Sequence, residues 1–199
     1  MESAPISDFP TTVRLDIQTG VFEPCLDLSQ RRLKDLAMMF SDQQAVQAQL
    51  MDNPLIYEIR YYPFVTSNSD MALGVTSILP GKIGDEYHMT KGHFHARPDQ
   101  PEIYYCVKGR GYLLMESWEG DFRVAEWEPG IITHIPPQYA HRVVNTGDEQ
   151  LVFVASFHLS AGHNYEPVIQ RGFAQLVVEQ DGKPVFLPNP RREGKYTLK

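Results

Sequence analysis

The sequence predicts an all-β fold, one jelly-roll barrel with a helix and extended segments packed outside it. Three observations carry that prediction. From Pro54 onward the chain falls into short runs rich in Val, Ile, Tyr and Phe: Leu55–Tyr62, Ala72–Leu79, Tyr104–Val107, Tyr112–Ser117, Phe122–Glu126, Ile131–Ile135, Arg142–Asn145 and Gln150–His158. Turn-forming residues separate them, as in Pro80-Gly81, Lys108-Gly109-Arg110-Gly111, Glu128-Pro129-Gly130 and Thr146-Gly147-Asp148. Many short strands at close, regular spacing indicate a sandwich or barrel. Finally, 199 residues with 42% apolar content suffice for one core, and no apolar run approaches membrane-span length.

The elements follow in order. Residues 1–28 carry Pro5, Pro10, Gly20 and Pro24 and read as extended segments and turns, with one strand at Thr12–Ile17. Leu33, Leu36, Ala37 and Phe40 then fall at helical spacing, with Ser29 as N-cap. This predicts an amphipathic helix from Ser29 to about Asp52, broken near Ser41–Asp42, with its apolar stripe on the outside of a sheet. After the strands, Gln180-Asp181-Gly182-Lys183 predicts a hairpin turn, and Pro188–Lys199 a polar surface tail. The expected organisation is an extension (1–53) belonging to the same domain, a barrel (54–187) and a tail (188–199).

Charge and cysteines narrow the function. With 18 Lys and Arg against 25 Asp and Glu, the net charge is −7, and no basic stripe points to nucleic acid or to an anionic membrane. An anionic substrate must therefore be held locally, by a metal, backbone N–H groups, hydroxyls, or the few basic residues nearby such as Lys91 and Arg142. The N-terminal MESAPISDFPTTVRLD has neither a basic n-region nor an apolar h-region, so no secretory signal is expected. Cys25 and Cys106 read as free thiols of a cytoplasmic protein. Exposed strand edges of open jelly rolls are commonly covered by a second subunit, and residues 1–53 could provide the cover, so a homodimer is expected.

The chemistry-bearing pattern is His93-x-His95-x6-Glu102, followed by His141. On a strand, residues two apart leave the same face, so His93 and His95 can converge with Glu102 and His141 on one divalent ion. Three imidazoles and one carboxylate suit Fe, Mn, Ni, Zn or Co rather than Ca or Mg. His88, His134 and His158 have no partner at ligand spacing and read as ordinary surface or core histidines.

His93-x-His95-x6-Glu102-x6-Gly109 resembles the first cupin motif, and Gly130-x5-Pro136-x4-His141-x3-Asn145 the second. The first has six residues rather than three or four before the glutamate. The second has Gln138 where many cupins carry glycine. The wider strings Thr90-Lys91-Gly92-His93-Phe94-His95, Glu102-Ile103-Tyr104-Tyr105 and Ile135-Pro136-Pro137-Gln138-Tyr139-Ala140-His141-Arg142 resemble the cupin-type phosphoglucose isomerases, from about Pro54 to Tyr165.

That resemblance implies interconversion of glucose 6-phosphate and fructose 6-phosphate, in glycolysis and gluconeogenesis, with one divalent metal per subunit. Fe2+ is foremost, with Mn2+, Ni2+, Zn2+ or Co2+ as alternatives. It makes His93, His95, Glu102 and His141 the ligands, and Thr76, Thr90, the Gly92 backbone and Tyr104 the phosphate contacts, with Tyr57 beside them. Glu102 resembles the general base, and His163 and Tyr165 match residues lining the family's site. Proton transfer through a cis-enediol and a metal-assisted hydride shift both remain open. Phe157 stands where a tyrosine is expected, so one hydroxyl contact is missing. By themselves Thr76 and Thr90 read as strand content, Tyr104 as a half-buried aromatic, Gly92 as a bulge, and His163 and Tyr165 as loop residues. The competing readings are a 3-His-1-Glu cupin dioxygenase and a non-catalytic sugar-binding cupin.

Overall fold

The computed structural model describes residues 12–25, 27–64 and 71–192, and strands dominate it. Pro5, Pro10 and the tail beyond Arg192 lie outside the described residues. In chain order the strands are β1 (Arg14–Leu15), β2 (Phe22–Glu23), β3 (Asp27–Arg32), β4 (Leu55–Pro63), β5 (Met71–Ile78), β6 (Lys82–Ile83) and β7 (Glu86–Tyr87). They continue with β8 (Glu102–Lys108), β9 (Gly111–Ser117), β10 (Phe122–Trp127), β11 (Ile132–Ile135), β12 (Tyr139–Asn145) and β13 (Leu151–His158), and end with β14 (Gln175–Gln180) and β15 (Lys183–Pro188).

A six-stranded antiparallel sheet runs β11-β8-β13-β5-β4-β3, and a three-stranded one runs β10-β9-β12. The order β15-β14-β7-β6 makes a third sheet. The two main sheets share one core, where the Trp127 ring of β10 lies 5.9 Å from Tyr104 of β8 and 5.4 Å from Phe153 of β13. This is the expected jelly roll, and each predicted strand from Leu55 to His158 is present within a few residues of its expected ends.

Side-chain alternation explains why these residues make these strands. In β8, Glu102, Tyr104 and Cys106 point inward and are buried, while Ile103 and Tyr105 point out and are exposed. Register then builds rows across the large sheet. One row is Asp27, Tyr61, Gly74, Ala155 and Tyr104; the next is Ser29, Ile59, Thr76 and Phe153. These rows form one wall of the cavity described below.

The N-terminal region departs from expectation. Ser29 is not a helix cap: Asp27–Arg32 is a strand whose backbone pairs with β4. Helix begins only at α1 (Leu33–Leu36), where the Asp35 carboxylate accepts the Arg32 N–H at 2.8 Å. A 3-10 turn (Ala37–Met39) follows, and the expected break gives way to α2 (Gln43–Gln49), capped by Asp42. The apolar stripe is real, with Leu33, Leu36 and Phe40 all buried, but the residues before it alternate with a strand's period of two. The strand expected over Thr12–Ile17 is limited to β1, paired with β2.

The start of the tail also differs. Asn189 is buried and donates its Nδ2 to the Phe173 carbonyl, and Arg192 pairs with Glu116 of β9, which is only 1% exposed. Glu116 also accepts the Ala174 N–H at 2.8 Å. These polar residues fold inward because a buried carboxylate requires them. Breaking a buried pair by removing one partner costs about 3–5 kcal/mol. Arg192→Ala is therefore expected to lower the unfolding free energy by about 3 kcal/mol in urea titration. A loss below about 0.5 kcal/mol, typical of an inconsequential surface change, would show that the pair is not supporting the fold.

Candidate metal centre and cavity

Four side chains converge at one point of the barrel. His93 lies in an extended segment that bridges β12 through His93 N–H to His141 O (3.3 Å) and His141 N–H to His93 O (3.1 Å). It is thus held by a bridge rather than by the full strand the sequence suggested. Glu102 opens β8 and His141 lies on β12. One ligand atom from each of His93, His95, Glu102 and His141 lies within 4.8 Å of all the others. Atoms bound to one centre at about 2.1 Å would be about 3 to 4.2 Å apart, so a small contraction closes the set.

Hydrogen bonding orients the rings for that purpose. His95 Nδ1 lies 2.7 Å from the Gln100 carbonyl and His141 Nδ1 lies 3.3 Å from the Tyr139 carbonyl. A carbonyl can only accept, so each Nδ1 carries its hydrogen and a neutral ring presents a lone pair at Nε2. Both Nε2 atoms lie 3.1 Å from one oxygen, Glu102 Oε2. His141 Nε2 is buried and makes no hydrogen bond there. Three acceptor atoms facing one another need a cation between them, and the donor set fits a divalent metal.

The same crowding shifts the titration of the cluster. Burial alone would raise the Glu102 carboxyl, but the His141 and His95 imidazoles outweigh it and hold it below its usual range. Burial likewise opposes a proton on His95, yet the hydrogen bond and charge of Glu102 raise its pKa overall. His93 is held well below its ordinary value by desolvation and then by the neighbouring imidazoles of His141, His163 and His95. It stays neutral, as a ligand must.

The cluster forms part of a cavity of about 310 Å³. Tyr57, Thr76, Thr90, Gly92, Tyr104, His163 and Tyr165 all line it with His93, Glu102 and His141. His95 is not in the lining. The loop bearing His163 and Tyr165 is fixed by a two-way bridge, Phe94 N–H to Asn164 O (3.1 Å) and Asn164 N–H to Phe94 O (2.7 Å). That bridge brings the His163 ring to 4.4 Å from His93, with Tyr165 stacked on it at 5.5 Å. Burial lowers the His163 pKa and raises that of Tyr165.

Local contacts qualify several expected binding residues. Thr90 Oγ1 already accepts the Val143 N–H at 3.1 Å, leaving its hydroxyl hydrogen to donate. Tyr57, whose hydroxyl burial pushes up to about 12, accepts the Lys91 N–H at 3.3 Å. Gly92 has φ +72°, and a Cβ there would lie 3.1 Å from the His141 carbonyl oxygen and 2.9 Å from the Phe173 ring. Arg142 is not a cavity residue: it is buried, donates to the Lys91 carbonyl at 2.8 Å and sits 4.8 Å over the Phe173 ring. Gln138 adopts φ +68°, the backbone conformation that favours the glycine it replaces in the motif. His88, His134 and His158 stand apart from the cluster, as expected.

The sequence reading missed Asp27, Ser29, Arg31 and Tyr61, which also line the cavity. The period-two spacing of Asp27, Ser29 and Arg31 was the available signal, obscured by treating Ser29 as a helix cap.

A family model described as "Glucose-6-phosphate isomerase (GPI)" matches residues 30–190. The chain is 39% identical to a glucose-6-phosphate isomerase of Thermococcus onnurineus, over 92% of this chain and 96% of that one. It is 40% identical to that of Thermococcus kodakarensis and 37% identical to that of Pyrococcus furiosus, with the same two coverages. Among solved structures it is similar to oxalate decarboxylase from Bacillus subtilis, at 23% identity and TM-score 0.45. That match covers 54% of this chain and 26% of the decarboxylase.

His141 joins the cluster to β12, so His141→Ala removes a ligand while leaving the His93–His141 backbone bridge possible. We expect purified His141→Ala protein to carry less metal than wild type, measured by elemental analysis after loading at equal ion concentration. Equal stoichiometry and affinity would exclude His141 as a ligand.

Proposed function

The chain belongs to the cupin-type glucose-6-phosphate isomerase family, and on that premise we propose that it interconverts D-glucose 6-phosphate and D-fructose 6-phosphate as a metal-dependent isomerase. The supporting observation is one cavity containing three candidate ligands together with the residues that the family resemblance assigns to substrate. His93, His95, Glu102 and His141 would hold one divalent ion per subunit, Fe2+ foremost. Such an ion supplies Lewis acidity toward the sugar oxygens.

The other steps belong to the chain's own groups. Thr76, Thr90, the Gly92 backbone and Tyr104 bind the phosphate, and Tyr57 holds the Lys91–Gly92 backbone in place through its hydroxyl. Neutral His163 accepts the O1 proton as the sugar ring opens, and protonated Tyr165 donates to the ring oxygen; burial favours those starting protonation states, lowering the pKa of His163 and raising that of Tyr165. Glu102 then carries the proton between C1 and C2 through a cis-enediol, while the O2 hydroxyl proton passes to O1. Its Oε2 faces the imidazoles, so its other oxygen is the proton carrier. The hydroxyl absent at Phe157 has a substitute nearby, since the Tyr61 ring lies 6.2 Å from that of Phe157 in the same cavity.

A cytoplasmic homodimer is part of the same proposal. Free thiols at Cys25 and Cys106 suit a reducing compartment. Exposed Ile103, Tyr105 and Ile132, adjacent on β8 and β11, offer an apolar face to a second copy. Among the described residues no helix is long and apolar enough to cross a membrane.

Anaerobic assay of the metal-loaded chain is expected to equilibrate fructose 6-phosphate with glucose 6-phosphate. Conversion without oxygen excludes an oxygenase; no conversion with Fe2+, Mn2+, Ni2+ or Zn2+ restored would overturn the isomerase reading. Glu102→Gln should reduce kcat by about 100-fold or more, the usual contribution of a general base, and reduce metal content less. Normal turnover in that variant would remove the base assignment.

A further inference from the structure

Arg31 and Lys91 are the cationic side chains lining the cavity, and neither has a role in the scheme above. We propose that Arg31, reaching in from the edge strand, is a substrate-binding residue that meets the phosphate dianion beside the Thr90–Gly92 backbone. The inference rests on the isomerase reading of the cavity and adds a specificity determinant to it.

The sheet register puts Arg31 there. In β3 the residues Asp27, Ser29 and Arg31 stand opposite Tyr61, Ile59 and Tyr57 of β4, and all six line the cavity. Leu28, Gln30 and Arg32 alternate with them and point the other way. Tyr57, the partner of Arg31, is the residue whose hydroxyl accepts the Lys91 N–H. One cross-strand step and one hydrogen bond therefore link Arg31 to the segment assigned to the phosphate. The Arg31 charge also lowers the pKa of Tyr57 and Tyr165 against the larger effect of burial, which places it near both hydroxyls.

Its hydrogen bonding leaves it available. Nη1 donates to Ser29 Oγ at 2.6 Å and to the Gln30 carbonyl at 3.0 Å, which fixes the arm. Nε and Nη2 make no hydrogen bond to the described residues. Arg60, Arg97, Arg123 and Arg192 each meet a carboxylate. No carboxylate among the described residues comes within 4.0 Å of Arg31. A half-buried guanidinium without a counter-ion, in a chain of net charge −7, matches a phosphate ester, whose oxygens accept a fork of N–H donors. Lys91 adds a point charge, its Nζ lying over the Tyr165 ring at 4.6 Å.

The test uses the full metal-loaded chain, Arg31→Gln and Arg31→Lys. Inorganic phosphate binding is measured by calorimetry and fructose 6-phosphate turnover by steady-state kinetics. For Arg31→Gln we expect phosphate affinity to fall and KM to rise by about 10- to 100-fold, the value of a charge-assisted contact. We expect kcat to stay within about threefold, because the contact is made equally in ground and transition states. Arg31→Lys should recover part of both losses. Unchanged phosphate affinity and KM in Arg31→Gln would overturn the inference. So would a loss confined to kcat, or a wild-type chain that binds no phosphate. If wild type binds phosphate and Arg31→Gln does not, while neither turns over the sugar, the isomerase reading fails and the Arg31 anion site stands.

Discussion

Two imidazoles meeting one buried carboxylate oxygen, with a third imidazole beside them, is the constraint on which the rest of this molecule depends. Each Nδ1 that faces a carbonyl turns a lone pair toward Glu102, so the cluster is repulsive unless a proton or a metal ion lies within it. Such an arrangement persists only if the backbone beneath it is rigid. Rigidity comes from two antiparallel bridges, His93 to His141 and Phe94 to Asn164, on adjacent residues of one extended segment. The first sets the ligands and the second sets His163 and Tyr165. One short segment therefore joins the His/Glu cluster to the His163–Tyr165 wall of the cavity. Gly92 lets the chain enter that segment, because its positive φ and its closeness to the His141 carbonyl leave no room for a side chain.

The opposite wall is set by register rather than by loops. Rows from β3 to β8 bring residues far apart in sequence to one level, so Asp27 and Tyr104 belong to the same row. Gly74 lies in the middle of that row, where its missing side chain leaves volume for a ligand between Tyr61 and Ala155. A slip of one residue in β4 would turn Tyr57, Ile59 and Tyr61 to the outer face and remove the wall. The cavity is thus a property of the whole sheet. It includes β3, from a part of the chain that the sequence pattern assigns to an extension.

The barrel and the ligands were legible because their signals are local. Alternation and turn residues marked the strands from β4 to β13 apart from the two-residue β6 and β7, and His93-x-His95 with Glu102 and His141 carried the candidate metal site. What escaped depended on tertiary pairing. Leu33, Leu36 and Phe40 have genuine helical spacing, and extending that pattern back to Ser29 hid a strand whose backbone partners lie 23 or more residues downstream. Asn189 and Arg192 looked like tail residues because nothing near them in sequence reveals a buried Glu116. Arg142, beside a ligand in sequence, turned out to prop the Lys91 carbonyl, since neighbouring strand residues face opposite sides. Gln138 shows the converse: the residue departs from the motif while its backbone conformation does not.

Charge placement gives the cavity its remaining logic. A dianion approaching a protein of net charge −7 is repelled at long range, but that repulsion is screened beyond about 8 Å at physiological salt. Inside the cavity the balance reverses. A divalent ion beside the Glu102 carboxylate would leave about one net positive charge, Arg31 and Lys91 add one each and Asp27 takes one away, so about two positive charges face the two negative charges of a phosphate ester. The cations also stand on separate elements, Arg31 on the edge strand and Lys91 on the ligand-bearing segment. In the proposed isomerase, charge divided this way would hold the phosphate from one side while the His/Glu cluster keeps the carbonyl end of the sugar at the other. An acidic surface and an anionic substrate are then compatible, because attraction acts only on a molecule already inside.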